Sequence, residues 1–220
     1  MTTIMGIIVS VDFADYLQIT LPLNQAQLSE VYVITAEDDE ATRSVCERHS
    51  ARCLPMPRTT PFLKGLYINH AFDEVPKKDW ILILDADTVL PSNFQQSLND
   101  LTLDPNRLWG VSQRYCYNHE QWIEFATNGR AYEWPRRWTV CMGCFQLFHT
   151  SQFENTPDLA YEPFTVDKQS GKGSDWLFSR RFRRRRGRIP DLDVIHLATG
   201  PHDHNWNGRV TPSFAPGKAT

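Results

Sequence analysis

One short stretch of the sequence constrains the fold more than any other: an apolar run that ends in two carboxylates. Residues 80–84 read Trp-Ile-Leu-Ile-Leu and are followed at once by Asp85 and Asp87. A continuous apolar run of this length is typical of a strand buried on both faces of a parallel sheet. We therefore expect the two acids to lie at the carboxyl end of that strand, where open α/β sheets bind their ligands.

The spacing of the two acids indicates a cation site, although a simple acidic turn at the strand end is the alternative. Side chains at i and i+2 of an extended segment point the same way, so Asp85 and Asp87 can face one hard cation, with Asp87 as the first candidate for a direct ligand. His196 follows a short apolar run and would stand at another strand end, as a third ligand or as an ordinary hydrogen-bonded histidine. Carboxylate ligands predict Mn²⁺ or Mg²⁺, and a histidine partner favours Mn²⁺.

The first half of the chain alternates strand-like and helix-like segments. Short apolar or β-branched runs, separated by stretches of helical spacing, occur at 4–11, 31–34, 52–56 and 80–84. Such alternation predicts parallel βαβ units and an α/β sheet of the kind that binds nucleotides.

Beyond residue 106 the pattern changes to that of a mixed sheet. Predicted strands lie at 109–117, 144–149 and 193–197, and a predicted helix runs from 175 to about 186. A chain of 220 residues is long enough for one large domain. We predict a single domain with a nucleotide-sugar-binding half at about 1–105, an acceptor-binding and catalytic half at about 106–209, and a loose tail at 210–220.

An arginine block interrupts an otherwise acidic chain. The net charge is -3, yet seven of the nine residues in 180–188 are arginine. Such a block is typical of a solvated helix face or of a phosphate-binding surface. Aromatic and basic residues also alternate over 115–138, a pattern that suits sugar stacking, nucleic-acid binding or plain core packing.

Cysteine usage and the apolar runs favour a cytoplasmic protein. The five cysteines lie in apolar surroundings, as reduced thiols do, and the first residues lack the features of a secretory signal. No run approaches the roughly 18 apolar residues that a membrane span requires.

Several pieces of the sequence carry a family resemblance when they are taken in order. They are 33–39, 62–69, 80–91, 173–176, 196–197 and 205–209. Together they resemble the small family 2 glycosyltransferases of the GT-A fold found in bacteria and bacteriophages, over nearly the whole chain. The resemblance implies a Rossmann-like, mostly parallel sheet flanked by helices, with a smaller mixed sheet in the C-terminal half. Ser174, where many relatives carry an acid, and the longer turn after His196 depart from the family pattern.

The resemblance implies a metal-dependent transfer of a sugar from a nucleoside diphosphate, most simply a UDP-sugar, to a hydroxyl group. Thr35, Glu37 and Asp38 would then bind the nucleoside; capping of the following helix is the alternative for the two acids. The diphosphate would be bridged by Mn²⁺ or Mg²⁺.

Further donor contacts follow from the same resemblance. Lys64 would contact the diphosphate, unless it is a solvated helix lysine. Asn69 would bind the donor or cap a packing contact. Asp85 would hold the ribose hydroxyls or reach the metal through water.

Asp175 matches the carboxylate that deprotonates the acceptor in inverting members of the family, the alternative being a helix N-cap. The acceptor is expected to be a hydroxymethylated base in bacteriophage DNA or a glycan. The residues expected at the acceptor or at phosphates are Trp176, Arg180, Arg181, Trp206 and Arg209.

Two other classes of protein remain as alternatives. A sugar-phosphate nucleotidyltransferase also places acids on a parallel sheet, but the segment after the first strand, 10–15, lacks the glycine-rich loop that cradles phosphates in such enzymes. A non-catalytic nucleic-acid-binding protein would use the arginine block of 180–188, but it would leave Asp85, Asp87 and Asp175 without a role.

Overall fold

The structure, a computed structural model, describes residues 2–129, 134, 136–138, 143–156, 158–162, 173–198, 205 and 208–214. The strands are β1 (Ile4–Val9), β2 (Glu30–Ala36), β3 (Arg52–Met56), β4 (Trp80–Asp85), β5 (Thr88–Val89), β6 (Leu108–Cys116), β7 (Arg136–Trp138), β8 (Phe145–His149) and β9 (Arg186–Leu197). The helices are α1 (Ala14–Gln25), α2 (Glu40–Arg48), α3 (Lys64–Glu74), α4 (Phe94–Asn99), α5 (His119–Asn128), α6 (Gln152–Asn155) and α7 (Ser174–Arg181). Within these ranges no helix is long and apolar enough to cross a membrane.

The strands of the described residues form one mixed sheet. Its order is β3-β2-β1-β4-β8-β6-β9-β5, with β7 paired to β6. The first four of these strands are parallel, β8 is antiparallel to β4, and β9 is parallel to β6. The α/β fold class predicted from the sequence is confirmed, and the mixed C-terminal strands continue the parallel sheet instead of forming a second one.

The sheet is buried on both faces, as the apolar run before Asp85 indicated. Ile81 and Ile83 of β4 belong to one buried cluster, and Leu82 and Leu84 belong to the other. The first cluster includes residues of α3 and α7, and the second includes residues of α1, α2 and α4. Because the side chains of a strand alternate between its faces, only an unbroken apolar run satisfies both layers.

The helix predicted over residues 175–186 is shorter than its sequence suggests. It ends at Arg181, the backbone turns at Arg183 with a φ of 49°, and the next residues enter β9 at Arg186. Arginine is a good helix former, so local propensity favoured a longer helix. Sheet pairing overrides it, and Gly187 lets the ring of Trp109 pack against the new strand where a Cβ would lie 2.6 Å from a ring carbon.

The segment after residue 208 is anchored to α1. Arg209 forms an ion pair with Asp15, and the backbone N–H of Phe214 donates to Asp15 Oδ2 over 2.6 Å. The buried ring of Phe214 stacks on Tyr16 with 5.1 Å between ring centroids. Residues 210–214, which the sequence assigned to a loose tail, are therefore held by one carboxylate and one aromatic stack.

We expect Asp15→Asn to lower the free energy of unfolding by about 3 kcal/mol near neutral pH, because it leaves the largely buried Arg209 without its counter-charge. Burial raises the pKa of Asp15, but the hydrogen bonds from Arg209 and Phe214 outweigh it and hold the pKa below its ordinary value. A lowered folded-state pKa gives stability that is present above the unfolded pKa of about 3.9 and is lost as the pH falls through the folded value.

Urea unfolding at several pH values measures this effect. The difference between wild type and Asp15→Asn should be constant from about pH 5 to 8 and shrink below about pH 4. Asp73→Asn, at an exposed site, is the matched control and should change little. Equal stability of Asp15→Asn and wild type at pH 7 would contradict the anchoring role.

Candidate active site

The carboxyl ends of the parallel strands bring the predicted site residues to one edge of the sheet. From β1 the chain proceeds outward through β2 and β3, whereas β4 lies on the other side of β1. This reversal of strand order creates a crevice between the ends of β1 and β4, the usual ligand position in open α/β sheets. Val9 pairs with Asp85 at that point, so the first acid of the pair lies beside the crevice.

Arg58 joins the segments that follow β1, β2 and β3. Its Nε donates to both carboxyl oxygens of Asp38 over 2.9 Å, and its Nη atoms donate to Asp12 over 2.8 and 3.1 Å. The Arg58 guanidinium holds the pKa of Asp38 below its ordinary value. Asp38 therefore lies where the sequence predicted the nucleoside site, and its carboxylate forms an ion pair with Arg58. Arg58 and Asp12 were missed, because nothing in their local sequence shows that one residue from each loop meets here.

The other two residues predicted for the nucleoside have different surroundings. Thr35 is buried and its hydroxyl donates to Asp39 over 3.1 Å. Asp39 caps α2 by accepting from the N–H of Thr42, so neither Glu37 nor Asp38 is the cap. Glu37 is exposed, and its carbonyl accepts a hydrogen bond from Arg43. Thr35 thus positions Asp39 from within the core, while Glu37 faces solvent.

Two buried polar residues of α1 fix the backbone of the acidic turn. The Thr20 hydroxyl donates to the carbonyl of Ala86 over 2.7 Å. The Asn24 side chain donates to the carbonyl of Thr88 and accepts from the N–H of Leu90. These hydrogen bonds satisfy backbone groups of the turn that have no partner in the sheet. They also fix the backbone that carries Asp85 and Asp87. The sequence signal was two polar residues, four apart, on the apolar side of a helix.

Lys64 connects the acid pair to the predicted base. Its Nζ donates to Asp85 Oδ1 over 2.5 Å, to the carbonyl of Gly143 over 3.2 Å and to Asp175 Oδ1 over 3.5 Å. All three side chains are less than a third exposed. Lys64 is thus no solvated helix lysine: its three ammonium protons are directed at two carboxylates and a carbonyl.

The charges of this cluster shift the pKa values of its members in a consistent way. Burial opposes the charged form of Lys64, but Asp175 and Asp85 outweigh it and raise the Lys64 pKa above its ordinary value. Burial, with the nearby Asp87 and Asp175, raises the pKa of Asp85 to about 6, even though Lys64 acts in the opposite direction. Perturbed carboxylates of this kind concentrate at functional sites.

Asp175 lies in the first turn of α7 but does not cap it. The N-cap position is occupied by Gly173, with a φ of 85° and no side-chain cap. The buried side chain of Gln146 donates to the backbone carbonyl of Asp175 over 3.1 Å. A Cβ at Gly143 would lie closer than 3 Å to every atom of the Asp175 carboxylate, so only glycine leaves room for it. The helix-cap alternative for Asp175 is therefore wrong.

β9 brings His196 to the second acid of the pair. Thr88 pairs with His196 across β5 and β9, and His196 Nε2 lies 3.2 Å from Asp87 Oδ1. The ring of Tyr115 packs edge-on against His196 with 5.1 Å between centroids. The sequence expected both side chains at strand ends, and the pairing explains how residues more than a hundred positions apart become neighbours.

Asp87 and His196 are suitable ligands for a divalent cation of which the protein supplies only part of the coordination. In the part of the chain that the structure describes, no three His, Cys, Asp or Glu side chains form a complete metal cluster. Mg²⁺ and similar ions are often held by one or two carboxylates together with substrate phosphates, and an imidazole suits Mn²⁺. Asp87 and His196, with Asp85 nearby, match that kind of incomplete site.

The remaining predicted residues are placed differently. Both polar groups of the Asn69 side chain bond to the backbone of Tyr161, which fits the packing alternative. The five N–H donors of Arg209 point to Asp15 and to three backbone carbonyls, so none is directed at a phosphate. Arg181 pairs with Glu162 over 2.5 Å. Trp206 lies outside the described residues.

Sequence comparison assigns the family. The model of the family described as glycosyltransferase like family 2 matches residues 7–189. The chain belongs to this family. The family predicted from the sequence is thereby confirmed, and its description agrees with the predicted enzyme class, a glycosyltransferase. No curated protein matches the sequence.

Solved structures that contain UDP or a UDP-sugar share the fold. The S. aureus TarS 1-349 complex with UDP-GlcNAc is 12% identical, with a TM-score of 0.59, and the alignment covers 92% of this chain and 60% of that one. GalNAc-T7 with UDP, GalNAc and Mn²⁺ is 11% identical, with a TM-score of 0.61 and coverages of 89% and 44%. This family 2 chain therefore spans 60% and 44% of their lengths.

One neighbour has another activity. The 4-diphosphocytidyl-2C-methyl-D-erythritol synthase of Anaerococcus prevotii is 13% identical, with a TM-score of 0.52 and 89% of each chain covered. Likeness at such identities concerns the fold alone, and the same fold hosts different chemistries.

Proposed function

We propose that this family 2 chain transfers a sugar from a nucleoside-diphosphate donor, most simply a UDP-sugar, to an acceptor hydroxyl with inversion of the anomeric centre. One observation carries the proposal: Lys64 holds the metal-side acid Asp85 and the helix-borne acid Asp175 at the crevice beside β4. UDP-sugar donors are supported by the ligands of the TarS and GalNAc-T7 structures.

The nucleoside would lie over the ends of β1, β2 and β3, where Arg58 fixes Asp12 and Asp38. The diphosphate would extend from there toward Asp87 and His196. These two side chains would hold Mn²⁺ or Mg²⁺, which when bound neutralises charge on the leaving diphosphate. Asp85 would orient the ribose or a water molecule on the metal, as the sequence suggested, while Lys64 keeps its carboxylate in position.

Asp175 would act as the base. It is anchored through its backbone by Gln146, and its carboxylate lies against the bare Cα of Gly143. A carboxylate in that position can accept the acceptor proton as the new glycosidic bond forms. Attack on the face opposite the diphosphate inverts the sugar carbon. The acceptor is a hydroxylated molecule, with a modified DNA base or a glycan as the two candidates.

Thermal unfolding with a panel of nucleoside diphosphates and nucleotide sugars, with and without Mn²⁺, tests the donor site. We expect one nucleotide to raise the melting temperature in a metal-dependent way, since ligand at 100 times its Kd adds about 2.7 kcal/mol. Asp87→Asn should lose the metal-dependent part, and Asp100→Asn, at an exposed site, should keep it.

Product analysis then separates the enzyme classes. A glycosyltransferase releases the nucleoside diphosphate from its donor, whereas a nucleotidyltransferase releases pyrophosphate from a nucleoside triphosphate. Absence of stabilisation by every nucleotide, with or without metal, would contradict the proposal. Release of pyrophosphate with a sugar phosphate as co-substrate would replace it.

A further inference from the structure

The arginine block does not surround the active site. It begins at Arg180 in the last turn of α7, the helix that carries Asp175, and ends in the first residues of β9. Arg186 pairs with Leu108 at the start of β6, whereas His196 pairs with Tyr115 near the end of β6. Ten residues of strand separate the two, which corresponds to roughly 30 Å. Arg186 is therefore too far from His196 to bind a diphosphate held there.

Four arginines and one tryptophan of this region form an exposed strip, which we call the arginine strip. Its members are Trp176, Arg180, Arg183, Arg184 and Arg186. Trp176 follows the proposed base directly, is 47% exposed, and has the guanidinium of Arg180 over its ring at 4.6 Å from the centroid. The strip thus begins with an exposed aromatic residue beside Asp175 and continues along the chain with four exposed arginines.

The arginines of the strip have few partners within the protein. Among the described residues no carboxylate pairs with the four of them, and the side chain of Arg186 donates to the carbonyl of Arg183. Arg183 also adopts a positive φ of 49°, a conformation that glycine or asparagine adopts at lower cost. The exposed guanidinium groups leave a local excess of positive charge, which a bound polyanion neutralises.

We propose that the arginine strip binds a single strand of nucleic acid, with one base stacked on Trp176 and the following phosphates on Arg180, Arg183 and Arg184. Exposed aromatics beside arginines are the usual platform for unpaired bases, because every base has a π-face. From Trp176 to Arg184 the helix and its turn span about 12 Å, enough for two to three nucleotides. The proposal rests on the proposed function only in placing a nucleotide of the strand beside Asp175.

The charge distribution of the chain favours this partner over an anionic membrane. Outside the arginine block the chain carries an excess of acidic residues. A flat anionic surface would meet those acids, whereas a single strand can follow the strip alone. A polyanion without bases would use the arginines but gain nothing from Trp176.

Fluorescence anisotropy with labelled oligothymidylate, titrated at several salt concentrations, tests the proposal. Arg183→Gly with Arg184→Gln should raise the Kd on the order of tenfold at low salt and reduce the salt slope by about 1.4, since each phosphate contact on a single strand contributes about 0.7. Trp176→Ala should raise the Kd about fivefold or more. Arg48→Gln, an exposed arginine at the end of α2, is the matched control and should bind like wild type.

Folding and donor binding are measured on the same samples. Arg183→Gly relieves the positive φ, so the variant should melt no lower than wild type. Absence of oligothymidylate binding at low salt, or binding that the strip variants leave unchanged, would overturn the proposal. Equal affinity for inorganic polyphosphate with no effect of Trp176→Ala, or binding to anionic vesicles alone, would also overturn it. Stabilisation by a nucleotide sugar without oligonucleotide binding would reject nucleic-acid binding by the strip but leave the proposed function standing. Oligonucleotide binding without stabilisation by any nucleotide would support the strip and contradict the proposed function.

Discussion

Asp175→Asn is expected to lower the rate of sugar transfer by roughly 10²–10⁴-fold, the range that base catalysis supplies. The amide preserves the size of the side chain but cannot accept the acceptor proton. Donor binding should be unchanged, because Asp87 and His196, the proposed metal ligands, lie on other elements. Single-turnover kinetics with saturating donor, together with a separate measurement of donor affinity, distinguishes these effects.

Gly143→Ala provides a structural companion to this variant. It keeps the Asp175 carboxylate but forces it from its present position, because the new methyl group would overlap it. The rate should therefore fall while the chemical group remains. Glu154→Gln, at an exposed site on α6, is a control that should keep the wild-type rate. Weakened donor binding with an unchanged rate in Asp175→Asn would show that Asp175 has another role.

Lys64→Met is expected to have the largest effect on stability, about 3–5 kcal/mol in the free energy of unfolding. That is the usual cost of removing one member of a buried charged cluster. Asp85 and Asp175 would then face each other without the ammonium group that lies between them. Transfer activity should be lost as well, since both carboxylates lose a hydrogen-bond donor that positions them.

A double-variant cycle in urea measures this interaction. Adding Asp85→Asn to Lys64→Met should recover part of the lost stability, because it removes one of the uncompensated charges. Lys78→Met replaces an exposed lysine and should change the stability by less than about 0.5 kcal/mol. Strictly additive losses for Lys64→Met and Asp85→Asn would contradict a coupled cluster.

The sequence predicted the parallel part of the fold because burial leaves a direct trace in it. The run before Asp85 is apolar at every position because β4 is buried on both faces. The two acids mark the point where the buried part of the strand ends. The same reasoning placed His196 at a strand end. These predictions required only the period of the side chains and the cost of burying charge.

Predictions that depended on local propensity were less successful. The helix at 175–186 ends at Arg181, because pairing with β6 draws the following arginines into β9. Residues 210–214 looked loose, yet Asp15 and Tyr16 anchor them from the other end of the chain. In both cases contacts between distant residues outweighed preferences of the order of 1 kcal/mol per residue or less.

The sequence by itself determined the family, the α/β class and the position of the acid pair at a strand end, because these follow from side-chain patterns within short segments. Only the tertiary structure decided which distant groups meet: Lys64 with Asp85 and Asp175, Arg58 with Asp12 and Asp38, and the bare Cα of Gly143 with the proposed base. It also showed that the arginine strip begins beside Asp175 and continues into β9, away from His196. The physical reason is that ion pairs and close contacts depend on distances of a few ångströms between elements, which the order of residues along the chain does not specify.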